Sequence, residues 1–285
     1  MAAPVSMEYA PPPPELADRI SSLYALSQST DTYDEVERAD RPQLRVMISG
    51  SGDYHFPDGH ADPAYPVTII GPSSGTIRGI GHGPMRVVGA GLLPIAWAAL
   101  MGVDAQHGAD RTLDAEQIVG ARARALYNAV HAKDDTTRHF ALICDFIADI
   151  TAAVHDDGAA AFIRIVDAWL TERIDPEINV LVDRTGLGMR QIERLSKRYY
   201  GLPPKTLARK YRALRTAAAL ARGDDLDELG LGETFYDQSH LIREMKRFAG
   251  LTPEQIKKRQ SSMLTEISMG RKSLEGQVGT LVSDA

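Results

Sequence analysis

The chain has 285 residues, 44% hydrophobic and 25% charged, which is long enough for two domains with buried cores. Its single cysteine, Cys144, excludes an internal disulfide framework and fits a reducing compartment. No apolar run is long enough to span a membrane, and the start of the chain lacks the features of a signal peptide. We therefore expect a cytoplasmic protein with no membrane partner.

The net charge of −6 hides an uneven distribution along the chain. Residues 1–170 hold 12 basic and 22 acidic residues, a net charge of −10. Residues 171–260 hold 18 basic and 13 acidic residues, a net charge of +5. Because nucleic-acid binding depends on a local positive surface, the second segment is the candidate for contact with DNA.

The start of the chain contains the run Pro11–Pro14 followed by an acidic, polar stretch. Consecutive prolines favour an extended, solvated chain. We predict a flexible or partly helical N-terminal arm over positions 1–40, with Glu15–Leu26 as the candidate short helix.

Short apolar or alternating runs with glycine and proline between them follow, and they predict a small antiparallel sheet. The predicted strands cover residues 44–48, 67–70, 76–80 and 85–88. Helices are predicted after the sheet, at residues 94–101, 114–132 and 136–155.

The last of these helices, with Thr136 or Thr137 as its cap, carries an apolar stripe that needs a partner surface. The stripe consists of Phe140, Ile143, Cys144, Ile147, Ile150 and Val154. Two partners fit the pattern: the core of the same chain, or the same helix of a second subunit in a homodimer. Cys144 lies on this stripe, which favours a structural role for it over a redox role.

In the C-terminal half, Met189–Gly201 and Gln238–Gly250 share one pattern at a fixed offset along the chain. Each copy has apolar residues at helical spacing, a basic opposite face and a glycine at its end. Gly188 is a weak N-cap for the first copy, and Asp237 is a good N-cap for the second.

A shorter predicted helix and a tight turn precede each copy, at residues 177–185 and 226–232. A short helix, a turn and a second helix with a basic outer face form the helix-turn-helix arrangement, whose second helix enters the major groove. A linker helix is predicted at residues 204–222. Two such units in register are a specific signal.

The second unit closely resembles the signature of the AraC/XylS family of bacterial transcription regulators. The matching residues are Phe235 to His240, Arg243, Lys246 to Phe248, Gly250, Thr252 and Pro253, and the first unit matches at Arg190 to Arg194, Gly201, Pro204 and Lys205. The resemblance implies two helix-turn-helix units that place their recognition helices about 34 Å apart on one face of DNA.

Three residues depart from the family pattern: Gly188, Gly230 and Thr234. Gly230 weakens the short helix before the second unit, which we therefore expect to be frayed. Two further segments, residues 66–72 and 89–94, loosely resemble the cupin-like sensor halves of such regulators.

Together these features predict an α+β protein. A small antiparallel, cupin-like sheet domain with helices is followed by an all-α domain of two helix-turn-helix units joined by a linker helix. The predicted domains are the arm at 1–40, a sensor or dimerisation domain at 41–157, the DNA-binding domain at 158–260 and a mobile tail at 261–285.

Twelve side chains are predicted to face DNA. They are Arg190, Gln191, Glu193, Arg194, Lys197, Arg198, Gln238, Ser239, His240, Arg243, Lys246 and Arg247. We expect Arg190 and Arg243 to contact bases, and the lysines to contact phosphates.

The predicted function is a sequence-specific transcription regulator of double-stranded DNA, controlled by a small effector or by homodimerisation through the N-terminal domain. RNA polymerase would be a partner if the protein is an activator. A simpler alternative is a DNA-binding protein whose N-terminal half only dimerises.

A second alternative is a cupin-type enzyme fused to a DNA-binding module. Its candidate metal ligands are His55, His60, His82 and His107 with Asp53, Asp58 and Asp62. Their spacing does not resemble a metal-binding cupin, and no nucleophile elbow or phosphate loop appears. We therefore expect no enzyme activity, no metal and no cofactor.

Overall fold

The computed structural model describes residues 5–102, 104–152, 157–231, 234–258 and 262–285. An antiparallel sheet with packed helices forms the N-terminal part, and helices form the C-terminal part. This arrangement confirms the α+β class. Within the described residues, no helix combines the length and apolar character needed to cross a membrane.

Among the described residues, the antiparallel sheet has eight strands. They are β1 (Ser6–Ala10), β2 (Ile20–Gln28), β3 (Thr32–Glu37), β4 (Gln43–His55), β5 (Ala61–Pro63), β6 (Val67–Ile70), β7 (Ile77–Leu92) and β8 (Thr112–Asp114).

The sheet is organised around the long strand β7. The strand order is β1-β2-β7-β4-β6-β8, with β3 also paired to β7 and β5 to β4. The first half of β7 pairs with β3 and the second half with β2, while β4 follows both halves. The strands predicted at 76–80 and 85–88 are therefore two parts of one continuous strand, because β4 supplies partners across the glycines between them.

The start of the chain differs from the predicted arm at 1–40. Strands β1, β2 and β3 all lie in this region, and β2 replaces the candidate helix at Glu15–Leu26. The strand β2 lies between β1 and β7, and most of its residues are buried on both faces. Its partner β7 is distant in sequence, with Leu26 opposite Val87, so local periodicity gave no signal for the pairing.

In the described part of the N-terminal half, four helices pack with the sheet: α1 (Pro94–Met101), α2 (Ala115–Val119), α3 (Ala121–His131) and α4 (Thr136–Thr151). The helix predicted at 114–132 is divided between α2 and α3 at Gly120, whose φ of 60° and ψ of −135° interrupt the helical path. The cap of α4 is Asp135, which accepts a hydrogen bond from the Arg138 amide, rather than Thr136 or Thr137.

The apolar stripe of α4 packs into the core of its own chain. Phe140, Ile143, Cys144 and Ile147 are buried in one cluster with residues of the sheet and of α1. Val154 lies outside the described residues. The first of the two predicted partners for this stripe is therefore confirmed.

The C-terminal half is helical. Its helices are α5 (Asp157–Glu172), α6 (Ile178–Thr185), α7 (Met189–Tyr200), α8 (Pro204–Arg222), α9 (Gln238–Ala249), α10 (Pro253–Lys257), α11 (Ser262–Lys272) and α12 (Thr280–Ser283). The predicted linker helix corresponds to α8.

The C-terminal segment 262–285 differs from the predicted mobile tail because it folds back onto the N-terminal sheet. Met263 and Ile267 of α11 are buried in a cluster with Leu26, Tyr33 and other sheet residues. The partners of these apolar side chains lie at the opposite end of the chain, which explains why the local sequence did not reveal the contact.

Candidate nucleic-acid interface

The first helix-turn-helix unit is formed by α6, a turn at residues 186–188, and α7. Gly186 ends α6 with a left-handed φ of 63°, and Gly188 begins α7 without a side-chain cap. Ile192 and Tyr199 are buried, as the apolar spacing predicts. The opposite face of α7 is left available for a partner.

The second unit centres on α9. The Asp237 carboxylate accepts a hydrogen bond of 2.7 Å from the His240 amide, which confirms the predicted N-cap. Met245 and Phe248 are fully buried. Their burial fixes the orientation of α9 and turns its basic residues outward.

The leading segment of the second unit is formed of turns over residues 226–230 rather than a regular helix. Gly230 adopts a left-handed φ of 64°, a conformation in which alanine would be strained. The turns agree with the frayed helix that is expected because Gly230 departs from the family pattern. Gly232, at the end of the predicted short helix, lies outside the described residues.

The predicted DNA-facing side chains lie on the outer faces of α7 and α9. Lys197 and His240 are half-buried, and the other ten are exposed. The exposed ones are Arg190, Gln191, Glu193, Arg194, Arg198, Gln238, Ser239, Arg243, Lys246 and Arg247. The structure thus presents a mainly basic face on each helix.

The C-terminal ends of both recognition helices dock on the N-terminal domain. Arg198 lies 3.7 Å from Asp104, and Arg247 Nε donates to the Ser74 carbonyl at 3.2 Å. The Thr76 amide donates to the carbonyl of the same Arg247. The N-terminal ends of the helices, which contact base edges in helix-turn-helix proteins, lie away from these contacts.

An ion pair that the sequence did not suggest joins the linker helix to the second recognition helix. Arg209 of α8 donates two hydrogen bonds to the buried Glu244 of α9, at 2.6 and 3.0 Å. Bidentate pairs of this kind restrict geometry. The angle between α8 and α9 is therefore held by a specific contact as well as by apolar packing.

Asp40 is the centre of a buried, positively charged cluster between the domains. Burial would raise the pKa of its carboxyl, but Arg271 and Arg38 hold that pKa well below its usual range. Arg271 and Gln43 both donate to this carboxylate. Because the cluster joins residues of α11 to the sheet domain, it ties the C-terminal segment to the N-terminal half.

Lys210 of the linker helix reaches the same region. Its ammonium group donates to the carbonyl oxygens of Asp40 at 2.5 Å and Ser73 at 2.8 Å. Burial lowers the pKa of Lys210 to about 7. The helix that connects the two reading units is therefore attached directly to the N-terminal domain.

The interior of the sheet domain is filled by a polar network. Arg45 pairs with Glu37 at 2.6 Å and also donates to Tyr24, Gln43 and Tyr54. The adjoining cavity measures about 20 Å³, which holds about one water molecule. Within the described residues, the sheet therefore offers no room there for an organic ligand.

A cavity of about 760 Å³ lies at the junction of the two domains. Its walls come from the start of the sheet domain, from α5, α7 and α8, and from the C-terminal residues 276–282. Apolar side chains such as Ile20, Leu93 and Ile163 are joined by Arg41 and Lys210. Organic ligands bind in cavities of about this size with few polar groups.

Arg41 is a buried cationic side chain in the wall of this cavity. Its Nη2 donates to the Tyr211 hydroxyl at 3.0 Å and to the Leu281 carbonyl at 3.1 Å. Among the described residues, no carboxylate lies within ion-pair distance of its guanidinium. Asp167 also lines the cavity, but the Tyr200 hydroxyl donates to it at 2.8 Å and burial raises the pKa of its carboxyl. A buried guanidinium bonded only to neutral acceptors favours the approach of an anion.

The candidate metal ligands do not converge in the described part of the chain. His60 Nε2 lies 2.8 Å from Asp62 Oδ1, which forms a local pair. No group of three or more histidine, cysteine, aspartate or glutamate side chains in the described residues could hold a metal ion.

In the comparison with known families, residues 181–259 fit a family model described as a helix-turn-helix domain. The matched segment contains α7, α8 and α9, so it includes both reading helices and their linker. The chain therefore contains a helix-turn-helix domain over residues 181–259. This match supports the predicted function of a DNA-binding transcriptional regulator.

No curated protein matches the sequence. Among solved structures, the regulator is similar to an apo form of a single-residue variant of ToxT from Vibrio cholerae, with 11% identity, coverage of 84% of this chain and 97% of that chain, and a TM-score of 0.48. It is similar to unsaturated fatty acid bound ToxT from Vibrio cholerae, with 10% identity, coverage of 90% and 95%, and a TM-score of 0.46.

The AraC-like transcriptional activator CuxR is similar at 15% identity, with coverage of 79% of this chain and 90% of that chain and a TM-score of 0.33.

Proposed function

We propose that this regulator reads two successive major-groove segments with the outer faces of α7 and α9. The observation that carries the proposal is the exposed basic face on each of these helices, opposite an apolar face whose central side chains are buried. Arg190 is at the N-terminal end of α7, and Arg243 lies within the first half of α9. The N-terminal residues of a recognition helix reach base edges.

Of the twelve side chains predicted to face DNA, Arg198 and Arg247 contact the N-terminal domain. Because both are bound there, we assign direct DNA contact first to the residues nearer the start of each helix. Lys246 lies one turn further along α9 than Arg243, and its flexible ammonium suits phosphate contact.

The test is selection of binding sites from random duplexes at two salt concentrations, followed by titration of variants. Arg243→Ala should weaken specific binding by about 1–3 kcal/mol and relax preference at one base pair. Lys246→Ala should weaken binding to all sequences and reduce the dependence on salt. Equal losses for Arg243→Ala on specific and random DNA would contradict its base-reading role.

Arg173→Ala is the matched control. Arg173 is a basic residue of the helical domain with 64% of its side chain exposed, but it lies outside the two reading helices. The variant should bind specific DNA like the natural protein.

We further propose that the junction cavity binds the effector, and that the effector is an organic acid with an apolar body. The cavity has the volume for such a molecule, its walls are largely apolar, and Arg41 lies at its surface without an ion-pair partner in the described residues. Because α8 forms one wall, a ligand there would contact the helix that joins the two reading units.

A thermal-shift comparison of decanoate with decanol tests this proposal. An acid present at 100 times its Kd should stabilise the protein by about 2.7 kcal/mol. Arg41→Gln should remove the preference for the acid while leaving binding of the alcohol, because the charge-assisted hydrogen bonds are lost. An unchanged preference in Arg41→Gln would exclude Arg41 as the acid-binding residue.

A further inference from the structure

The C-terminal segment beyond the matched family region has two parts with different attachments. The family match ends at residue 259, and α11 and α12 follow it. Here the helix α11 is called the anchor (Ser262–Lys272), and residues 276–285 are called the flap.

The anchor is held firmly from both domains. Met263 and Ile267 are buried among side chains of the sheet, and Leu264 is buried against α8 and α9. Arg271 pairs with the buried Asp40, and a Cβ at Gly270 would overlap the ring of Tyr9. These contacts fix the anchor in place.

The flap lies over the junction cavity. Residues 276–282 form part of the cavity wall. Leu281 packs with apolar residues of α5, and its carbonyl accepts the hydrogen bond from Arg41. The flap therefore covers a space that the anchor does not reach.

The backbone between anchor and flap suits a hinge. Gly276 adopts a left-handed φ of 79°, and no atom lies within 4 Å of the position of an added Cβ. The same open space surrounds Gly279, the N-cap of α12. Backbone hydrogen bonds within the flap are local: the amides of Val282 and Ser283 donate to the Gly279 carbonyl, and the Asp284 amide donates to the Thr280 carbonyl. Local bonds of this kind can persist when the flap moves.

We propose that the flap is a movable wall of the effector site, which opens about Gly276 to admit the ligand while the anchor stays bound. This inference rests on the proposed effector cavity. Arg41 has a different partner in the closed and the open state. When the flap is closed, its guanidinium donates to the Leu281 carbonyl. When the flap is open, the guanidinium is available to the ligand. A ligand carboxylate is a stronger acceptor than that carbonyl, so binding of an acid competes with flap closure.

The first measurement is the rate at which 1-anilinonaphthalene-8-sulfonate, an apolar organic anion that fluoresces in apolar sites, binds to the full chain. If the flap gates the cavity, the observed rate should level off as the probe concentration rises. Ending the chain at residue 275 should remove this plateau, and Leu281→Ala should raise it by about tenfold. Met269→Ala is the control, since Met269 lies on the anchor with 56% exposure, and its plateau should match that of the natural protein.

Ala168→Phe assigns the signal to the cavity, because Ala168 lines its wall and the larger ring would occupy the space. This variant should abolish the saturable binding. Circular dichroism and binding to specific DNA would establish that each variant is folded. An identical plateau in the natural protein and in the chain ending at residue 275 would contradict the proposal that the flap gates the cavity.

Hydrogen exchange tests the flap without any ligand. Amides of residues 280–285 should be at least about tenfold less protected than amides in the middle of the anchor, because the two parts open separately. Equal protection in both parts would mean that they move as one unit, which would also overturn the proposal. If no saturable binding of the probe is observed, the proposal that this cavity binds the effector is contradicted. Hydrogen exchange would still show whether the flap moves independently of the anchor.

Discussion

The buried Lys210 gives a prediction about pH whose size follows from the structure. Its ammonium group donates to two main-chain carbonyls at the domain junction, and burial lowers its pKa to about 7. In the unfolded chain, the pKa of the same group would be about 10.4. Between these two values the unfolded state binds more protons than the folded state, so the free energy of unfolding should rise with pH.

For these two pKa values, the contribution of Lys210 should increase by about 2 kcal/mol between pH 7 and pH 9. The assay is urea denaturation at several pH values, followed by the fluorescence of the buried Trp97 and Trp169. Lys210→Met should lose this increase in stability, while Lys205→Met should keep it because Lys205 is an exposed residue on the same helix. Parallel pH profiles for the natural protein and Lys210→Met would refute the reasoning.

Three further predictions concern single residues. Gly250→Ala should destabilise the protein by about 1–3 kcal/mol in thermal melting, because φ is 82° and the new Cβ would lie 2.7 Å from Val36. Gly188→Ala is its control, since that site has an extended φ and open space, and it should change stability little. Asp237→Ala should cost about 1 kcal/mol by removing the cap of α9, whereas Asp237→Asn should retain most of it, and equal losses would exclude the capping role. Burial raises the pKa of Cys144 to about 11, so at pH 8 its thiol should react with an aromatic disulfide reagent about a hundredfold more slowly than in the unfolded protein. Rapid reaction in the folded protein would contradict this.

The local sequence determined most of the DNA-binding domain. The spacing of apolar residues, the cap at Asp237 and the glycines at positions 201 and 250 predicted α7 and α9, and Pro204 predicted the start of α8. These signals depend on neighbours within about one helical turn along the chain, and such short-range patterns can be read directly. The helix α1 and strand β6 were predicted for the same reason.

Only the tertiary structure decided what the two ends of the chain pack against. The strand β2 and the anchor helix α11 acquire their partners from segments far away along the chain, and sequence periodicity carries no information on such pairing. The pair Arg209–Glu244 and the junction cavity arise in the same way, since their residues meet only after α8 and α5 pack against distant elements. The residues predicted to contact DNA could therefore be identified from local sequence patterns. The position of the first reading helix α7 and the linker helix α8 against a ligand-sized cavity depends on long-range packing.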